Sequence, residues 1–416
     1  MHILLIHQAF AALDEPGGTR HHELARFLVS KGHKVTVIAS PVSYLTGTSL
    51  TPSPSPEGGW ERSHLPSGDG LGVKEGMRVI RPSVYSAHHK SFFHRLMAFF
   101  SFMISSFFAG LKVREVDVVW GTSPPIFQGV TAWALARLKG AKFLFEVRDL
   151  WPDFAIAVGV LKSPLLIKLS LWLERFLYRH ADWMMVNSPA YVSHVRGRGA
   201  KRVELIPNGA DPGMFDPLDN GDQFKADFSI QNKFVALYAG AHGISNDLDV
   251  VLEAARLLAD QPEIVFVLVG DGKEKANLQA RAAEMGLANV LFLPPVPKSG
   301  MAGVLAGADA CIAILKPIDE YKTTYPNKVF DYMAAGRPVV LAIDGVIREV
   351  VDAAGCGIFA APGDARALAA ATLKLAADPS AARQMGLAGR RSLEEHFSRE
   401  SLAAKLENLV GNLMEL

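Results

Sequence analysis

The chain has 416 residues and a mass of 45.0 kDa, with 49% apolar and 20% charged residues. That balance excludes a disordered or fibrous protein, and the length suits two or three domains of roughly 100 to 200 residues. The net charge of +1 hides a split of +9 over residues 1–210 and −8 over 211–416. Either one half faces an anionic partner or the two halves attract each other. The only cysteines, Cys311 and Cys356, are too few for a disulfide scaffold or a cysteine-built metal site, and a reduced cytoplasmic setting fits them. The N-terminus lacks the basic start and cleavage site of a signal peptide, and its apolar run is too short to span a membrane.

In chain order, the first apolar run, His2 to His7, predicts a strand that leads into a loop around Asp14–Gly18. A helix over Thr19–Lys31 and a strand over Lys34–Ala39 complete a βαβ unit. Val116–Trp120, Lys142–Val147, Trp183–Asn187 and Val203–Ile206 continue a parallel α/β sheet. The pattern restarts with strands at Phe234–Ala239, Ile264–Val269, Val290–Leu293, Ala310–Ile314 and Pro338–Ala342, and helices at Asp247–Asp260 and Lys273–Gly286. The turn-rich stretch Pro207–Gly213 marks the boundary. The expected fold class is therefore α/β, with two doubly wound parallel sheets and a ligand in the cleft between them.

Two segments break this rhythm. Residues 43–76, rich in Ser, Pro and Gly, have no hydrophobic period and are expected to be a mobile loop or a lid. Residues 91–111 hold seven of the 23 phenylalanines, and cations flank a 16-residue uncharged stretch from Leu96 to Leu111. A core helix explains this composition. So does a helix lying in a membrane interface with Phe99, Phe100 and Phe102 inserted and Arg95 and Lys112 facing anionic lipid. The basic first half favours the second reading.

The residues suited to chemistry cluster at strand ends. YAGAHGISNDL (Tyr238–Leu248) is a Gly-rich strand-to-helix turn in which Gly240 and Gly243 let backbone approach an anion, with His242 between them. Val269–Lys275 is a second such turn. In YPNKVFDYMAAGRPVV (Tyr325–Val340), a helix starting at Asn327 puts Lys328 and Asp331 on one face. A cation for phosphate beside a carboxylate for sugar hydroxyls suits a nucleotide sugar, and an ordinary ion pair is the plainer reading. Arg148 and Asp149 end a buried strand in FEVRDLWPD, either as site residues or as an internal pair holding the loop. No Walker motif, full G-x-G-x-x-G, G-x-S-x-G elbow or H-E-x-x-H zinc spacing is present.

In this order the motifs resemble the retaining family 4 glycosyltransferases of the GT-B fold. IPNGADPGMF (Ile206–Phe215) looks like that family's junction motif, and PGGTRHHELA, YAGAHG, the VGDG turn and KVFDYMAAGRPVV accompany it. EVRDLWP, the YLTG loop and the apolar helix look most like the WbuB-like branch, transferases of acetamido sugars in bacterial surface-polysaccharide assembly. The resemblance implies an N-terminal acceptor domain of residues 1–208 plus 399–416, with the final helix crossing back onto it, and a nucleotide-sugar domain of residues 209–398. Gly17 and Gly18 would line the donor diphosphate from the first domain, and Gly240, His242 and Gly243 would hold it from the second. Lys328, helped by Lys322, would neutralise the leaving group, Asp331 would meet the ribose hydroxyls, and Thr323 and Asn327 would complete the donor site. Arg148 stands where many relatives carry His, and Asp149 matches their Asp. Two departures stand out: Thr323 occupies the first Glu position of E-x7-E, and SNDL (Ser245–Leu248) lacks the family's phosphate-loop cations.

The implied activity is metal-independent, retaining transfer of a sugar from a nucleotide diphosphate, UDP before GDP, to a polyprenyl-diphosphate-linked or other membrane-held acceptor. No cofactor beyond the donor and no nucleic acid is expected, and the enzyme would sit on the inner face of the cytoplasmic membrane. The alternatives are a nucleotide-sugar epimerase on the same fold and a catalytically silent sugar-nucleotide-binding scaffold.

Overall fold

The computed structural model describes residues 1–12, 15, 18–42, 76–85 and 92–416, apart from the side chains of Phe92, Phe93, Arg95 and Leu96. Gly17 and nearly all of the 43–76 segment lie outside the described residues.

Two parallel sheets form, and their central strands are apolar on both faces, as expected where helices cover a sheet from both sides. The first has seven strands: β1 (His2–Ile6), β2 (Lys34–Ile38), β3 (Met77–Ile80), β4 (Val118–Ser123), β5 (Lys142–Val147), β6 (Trp183–Val186) and β7 (Val203–Leu205). Their order in space is β3-β2-β1-β4-β5-β6-β7. The second has six: β8 (Phe234–Ala239), β9 (Ile264–Val269), β10 (Val290–Leu293), β11 (Ala310–Ile314), β12 (Val339–Ala342) and β13 (Gly357–Phe359), ordered β10-β9-β8-β11-β12-β13. The order reverses between β1 and β4 and between β8 and β11. Ligands of doubly wound sheets bind beyond the strand ends at such reversals.

Six helices connect the strands of the first sheet: α1 (Arg20–Ser30), α2 (Phe92–Leu111), α3 (Phe127–Lys139), α4 (Asp153–Ala157), α5 (Pro164–His180) and α6 (Pro189–Gly197). Phe102, Leu135 and Leu177, from α2, α3 and α5, pack into the core on one face. The other face is covered by Leu24 and Leu28 of α1 and by Leu402, Leu406, Leu409 and Leu413 of the last helix, Arg399–Met414. This last helix follows the second sheet in sequence yet completes the core of the first.

The chain therefore passes between the two units twice, at Pro207–Ala210 and at Phe397–Ser398. These passages touch: Ala210 N donates to Phe397 O at 3.3 Å and Arg399 N to Ala210 O at 2.8 Å. A Cβ on Gly209 would lie 2.1 Å from Phe397 O, so only glycine permits this approach. Arg20 pins the same linker, donating to Ile206 O and Pro207 O at 2.6 Å each, while its Nε meets Glu146 at 3.1 Å. Farther out, Ser188 Oγ donates to Thr323 O at 2.5 Å and Asn208 Nδ2 to Tyr325 O at 2.6 Å. Among the described residues no helix is long and apolar enough to cross a membrane.

Candidate active site

A cavity of about 290 Å³ opens between the units. The first contributes Gly18 and Thr19, and the second Gly240, Asp271, Val296, Lys298, Asn327, Lys328 and Asp331. Of the donor residues expected from sequence, the structure brings Gly18, Gly240, Asn327, Lys328 and Asp331 together here.

The turn after β8 is built around buried groups. Tyr238 points its hydroxyl back to Ala241 O at 2.7 Å. His242 is fully buried and held by its backbone, its N–H to Asp271 O at 2.8 Å and its carbonyl to Glu274 N–H at 3.0 Å. Neither ring nitrogen has a partner, and burial, followed by nearby Lys275, pushes the imidazole down to about 4. His242 is thus a neutral ring behind the turn rather than a wall of the cavity. Gly243 opens a short 3-10 turn (Ile244–Asn246) and also stays outside it.

Lys328 enters from the first turn of the helix Asn327–Ala334. Its ammonium is buried without a hydrogen bond, 3.9 Å from the centroid of the Tyr238 ring. Burial pushes it down to about 7. Gly240, at φ +154, makes room for it, since a Cβ there would lie 2.9 Å from Lys328 Nζ. Asn327 Oδ1 is likewise buried and unpartnered. Buried polar groups are ordinarily satisfied, so unpartnered ones on a cavity wall point to a missing ligand.

Lys328 and Asp331 share a helix face but do not pair, which corrects the surface ion-pair reading. Asp331 is bonded through Oδ1 to Lys298, a residue of the 3-10 turn after β10. Burial pushes the Asp331 carboxyl up, and Lys298 acts against it. The second cation of the cavity is therefore Lys298. Lys322 is exposed and bonded to Asp319 at 2.7 Å. Thr323 lies outside the cavity lining, its hydroxyl donating to Glu320 O at 2.5 Å and its carbonyl taking the bond from Ser188.

Arg148 and Asp149 stand at the end of β5, half-buried and outside the cavity lining. Arg148 donates through Nη2 to Pro124 O at 3.0 Å, and its Nε is buried without a partner. Burial pushes Asp149 up to about 6, with Arg148 opposing. The Asp149 carboxylate also faces Tyr191 of α6 and, across the cleft, Tyr321 of the second unit. Among the described residues no group of His, Cys, Asp and Glu could hold a metal ion.

The apolar helix α2 is partly core. Phe102 is 1% exposed, which removes it from the set proposed to enter a membrane. Phe100 packs 4.9 Å from Phe127, and Phe99 stacks on the same ring at 6.3 Å. The outward stripe is instead Met97, Ile104, Phe108 and Leu111, residues at helical spacing, with Phe108 59% exposed. α5 presents Leu165, Leu169 and Trp172 in the same way, with Trp172 61% exposed. Both helices pack on α3. Lys112, Lys162, Lys168, Arg175 and Arg179 are exposed around these stripes, and the sole acid of α2, α3 and α5, Glu174, is buried.

Residues 17–209 match the family model described as a glycosyl transferase 4-like domain, and residues 233–378 match glycosyl transferases group 1. The putative colanic acid biosynthesis glycosyl transferase WcaI of Escherichia coli is 26% identical over 333 residues, 77% of this chain and 78% of that one. The amylovoran biosynthesis glycosyltransferase AmsK of Erwinia amylovora is 23% identical over 82% of this chain and 75% of its own length. Among solved structures, a sucrose-phosphate synthase from Thermosynechococcus elongatus superposes with a TM-score of 0.77 at 20% identity, covering 100% of this chain and 99% of that one. Anabaena HepE, in complex with UDP and glucose, superposes at 0.72 with 15% identity, covering 99% of this chain and all of its own.

Proposed function

The chain belongs to the family 4 glycosyltransferases of the GT-B fold, its two family domains spanning both units, and from that premise we propose that it transfers an N-acetylated sugar from UDP to a membrane-held acceptor. The polyprenyl-diphosphate-linked intermediate of a bacterial surface polysaccharide is the acceptor class we favour, with acetamido-sugar transfer of the WbuB-like kind as the reaction. The observation that carries this reading is the unpartnered Lys328 ammonium beside the Gly240 turn.

Cleaving a sugar–phosphate bond puts negative charge on the departing diphosphate, and preorganised positive groups lower that barrier. Lys328 meets this need from the helix, where it replaces the cations that the loop Ser245–Leu248 lacks. The N–H groups at the start of the helix Asn327–Ala334 add partial positive charge. Metal independence belongs to the same proposal, since Lys328 and the helix supply the charge. Asp331 accepts from the ribose, and Asp149, on the far side of the cleft, faces the acceptor. Retention follows from front-face attack, with the leaving phosphate taking the acceptor proton.

The outward stripes of α2 and α5 with their cations support attachment to an anionic bilayer on the cytoplasmic face, apolar side chains entering the interface and each nearby cation adding about 1 kcal/mol. The test is a thermal-shift screen against UDP, GDP, ADP and their sugars, with and without EDTA. A ligand that binds only the folded state raises its stability. Selective stabilisation by UDP and its N-acetylated sugars, surviving EDTA, is the expected result. No shift with any nucleotide would overturn the proposal.

A further inference from the structure

Lys298 has no place in the reading so far, yet it is the best-positioned charged group next to the ribose acceptor. Its side chain is only 8% exposed, and its ammonium lies 5.4 Å from the centroid of the Phe215 ring. It reaches Asp331 through Oδ1. On the other side of the cavity, Glu23 of α1 is bonded to Arg399 at 2.6 Å and accepts from the Thr19 hydroxyl at 2.5 Å. Although burial pushes the Glu23 carboxyl up, Arg399 and then Lys298 hold it below its usual range. The charges facing Asp331 are therefore Lys298 on its own side and the pair Glu23 and Arg399 from the first unit.

A carboxylate oxygen accepts more than one hydrogen bond, so a cation on Oδ1 fixes the plane of the group and leaves Oδ2 for a hydroxyl. We propose that Lys298 is a positioning residue for the donor: it holds Asp331 by Oδ1 and thereby makes the site select a ribonucleoside diphosphate through its ring hydroxyls. The proposal rests on the reading that Asp331 meets the ribose. Lys298 lines the cavity beside Asp331, and its bond to that carboxylate is what gives it this role. Without it, burial and the Glu23 charge would leave Asp331 protonated at higher pH, and a protonated carboxyl cannot accept through both oxygens.

The experiment compares the affinity of the full chain for UDP with that for 2′-deoxy- and 3′-deoxy-UDP between pH 6 and 9. Because all three share the diphosphate, the contribution of Lys328 cancels in the ratio. A hydrogen bond to a charged group is worth about tenfold or more, so the wild type is expected to prefer UDP over at least one deoxy analogue by about that factor. In Lys298→Met the preference is expected to shrink, and more so at the acid end of the range than at pH 9, whereas Lys298→Arg is expected to keep it throughout. Lys298→Gln serves the same purpose should the Met variant not fold. An undiminished, pH-independent preference in Lys298→Met or Lys298→Gln overturns the proposal. Asp331→Asn separates the two levels: if it abolishes the preference while Lys298→Met does not, Asp331 reads the ribose without Lys298. If the wild type shows no preference, the assignment of Asp331 itself is wrong.

Discussion

The ammonium of Lys328 and the ring of Tyr238 lie 3.9 Å apart, and the cation has no hydrogen-bond partner. Burial holds Lys328 at about 7 in the empty protein, and a bound diphosphate would restore its charge. The sign follows: the folded, empty protein loses this proton as pH rises through about 7, whereas the complex keeps it. UDP affinity is thus full below pH 7 and declines above it, and binding near pH 7 takes up about half a proton. Calorimetry in buffers of different ionisation enthalpy measures the uptake, and Lys328→Met should abolish it while weakening UDP at least tenfold.

Gly240→Ala is expected to reduce stability by about 1–2 kcal/mol, because φ +154 disfavours any side chain and the new methyl meets Lys328 Nζ. It should also weaken UDP by displacing that ammonium. Thermal unfolding and calorimetry read the two effects separately, and unaltered UDP affinity would remove the Gly240 turn from the phosphate site.

Asp149, pushed up to about 6 by burial, sets the acid limit expected for activity. If its carboxylate faces the acceptor as a charge partner, turnover falls as pH drops through about 6. Asp149→Asn should lower kcat by roughly a hundredfold and erase that limb. Slow hydrolysis of the sugar donor without acceptor gives an assay that needs no knowledge of the glycan.

For the membrane face, replacing Ile104, Phe108 and Trp172 with Ser should abolish co-sedimentation with phosphatidylglycerol vesicles at little cost in stability. Phe102→Ser should act in the opposite manner, destabilising by about 3–5 kcal/mol through loss of buried core. Retained vesicle binding by the triple variant would mean that this face does not hold the bilayer.

Strands buried on both faces were legible to the residue: Phe234–Ala239 and Ile264–Val269 are unbroken apolar runs and form where those runs lie. β3 and β13 were not, because MRVI and GIF are edge segments of four and three residues with no periodic signal. In the site, Gly240, Asn327, Lys328 and Asp331 stood out because each belongs to a compact linear motif. Lys298 did not, since it meets Asp331 across 33 residues of chain. The helical spacing that put Lys328 beside Asp331 was right about the face and silent about the partners. Burial decides those, drawing one to Tyr238 and the other to Lys298. In α2 an apolar surface all round gave no means of telling Phe102, which is core, from Phe108, which faces water.

The last helix has a consequence for how this protein is made. Its leucines fill one face of the first sheet, so a ribosome must translate through the whole second unit before that face is covered. The second sheet can close its core while the nascent first one still exposes Leu24 and Leu28 beneath the missing helix. The first unit is therefore completed only after the second has been translated, and until then it presents an uncovered apolar surface that a chaperone could recognise.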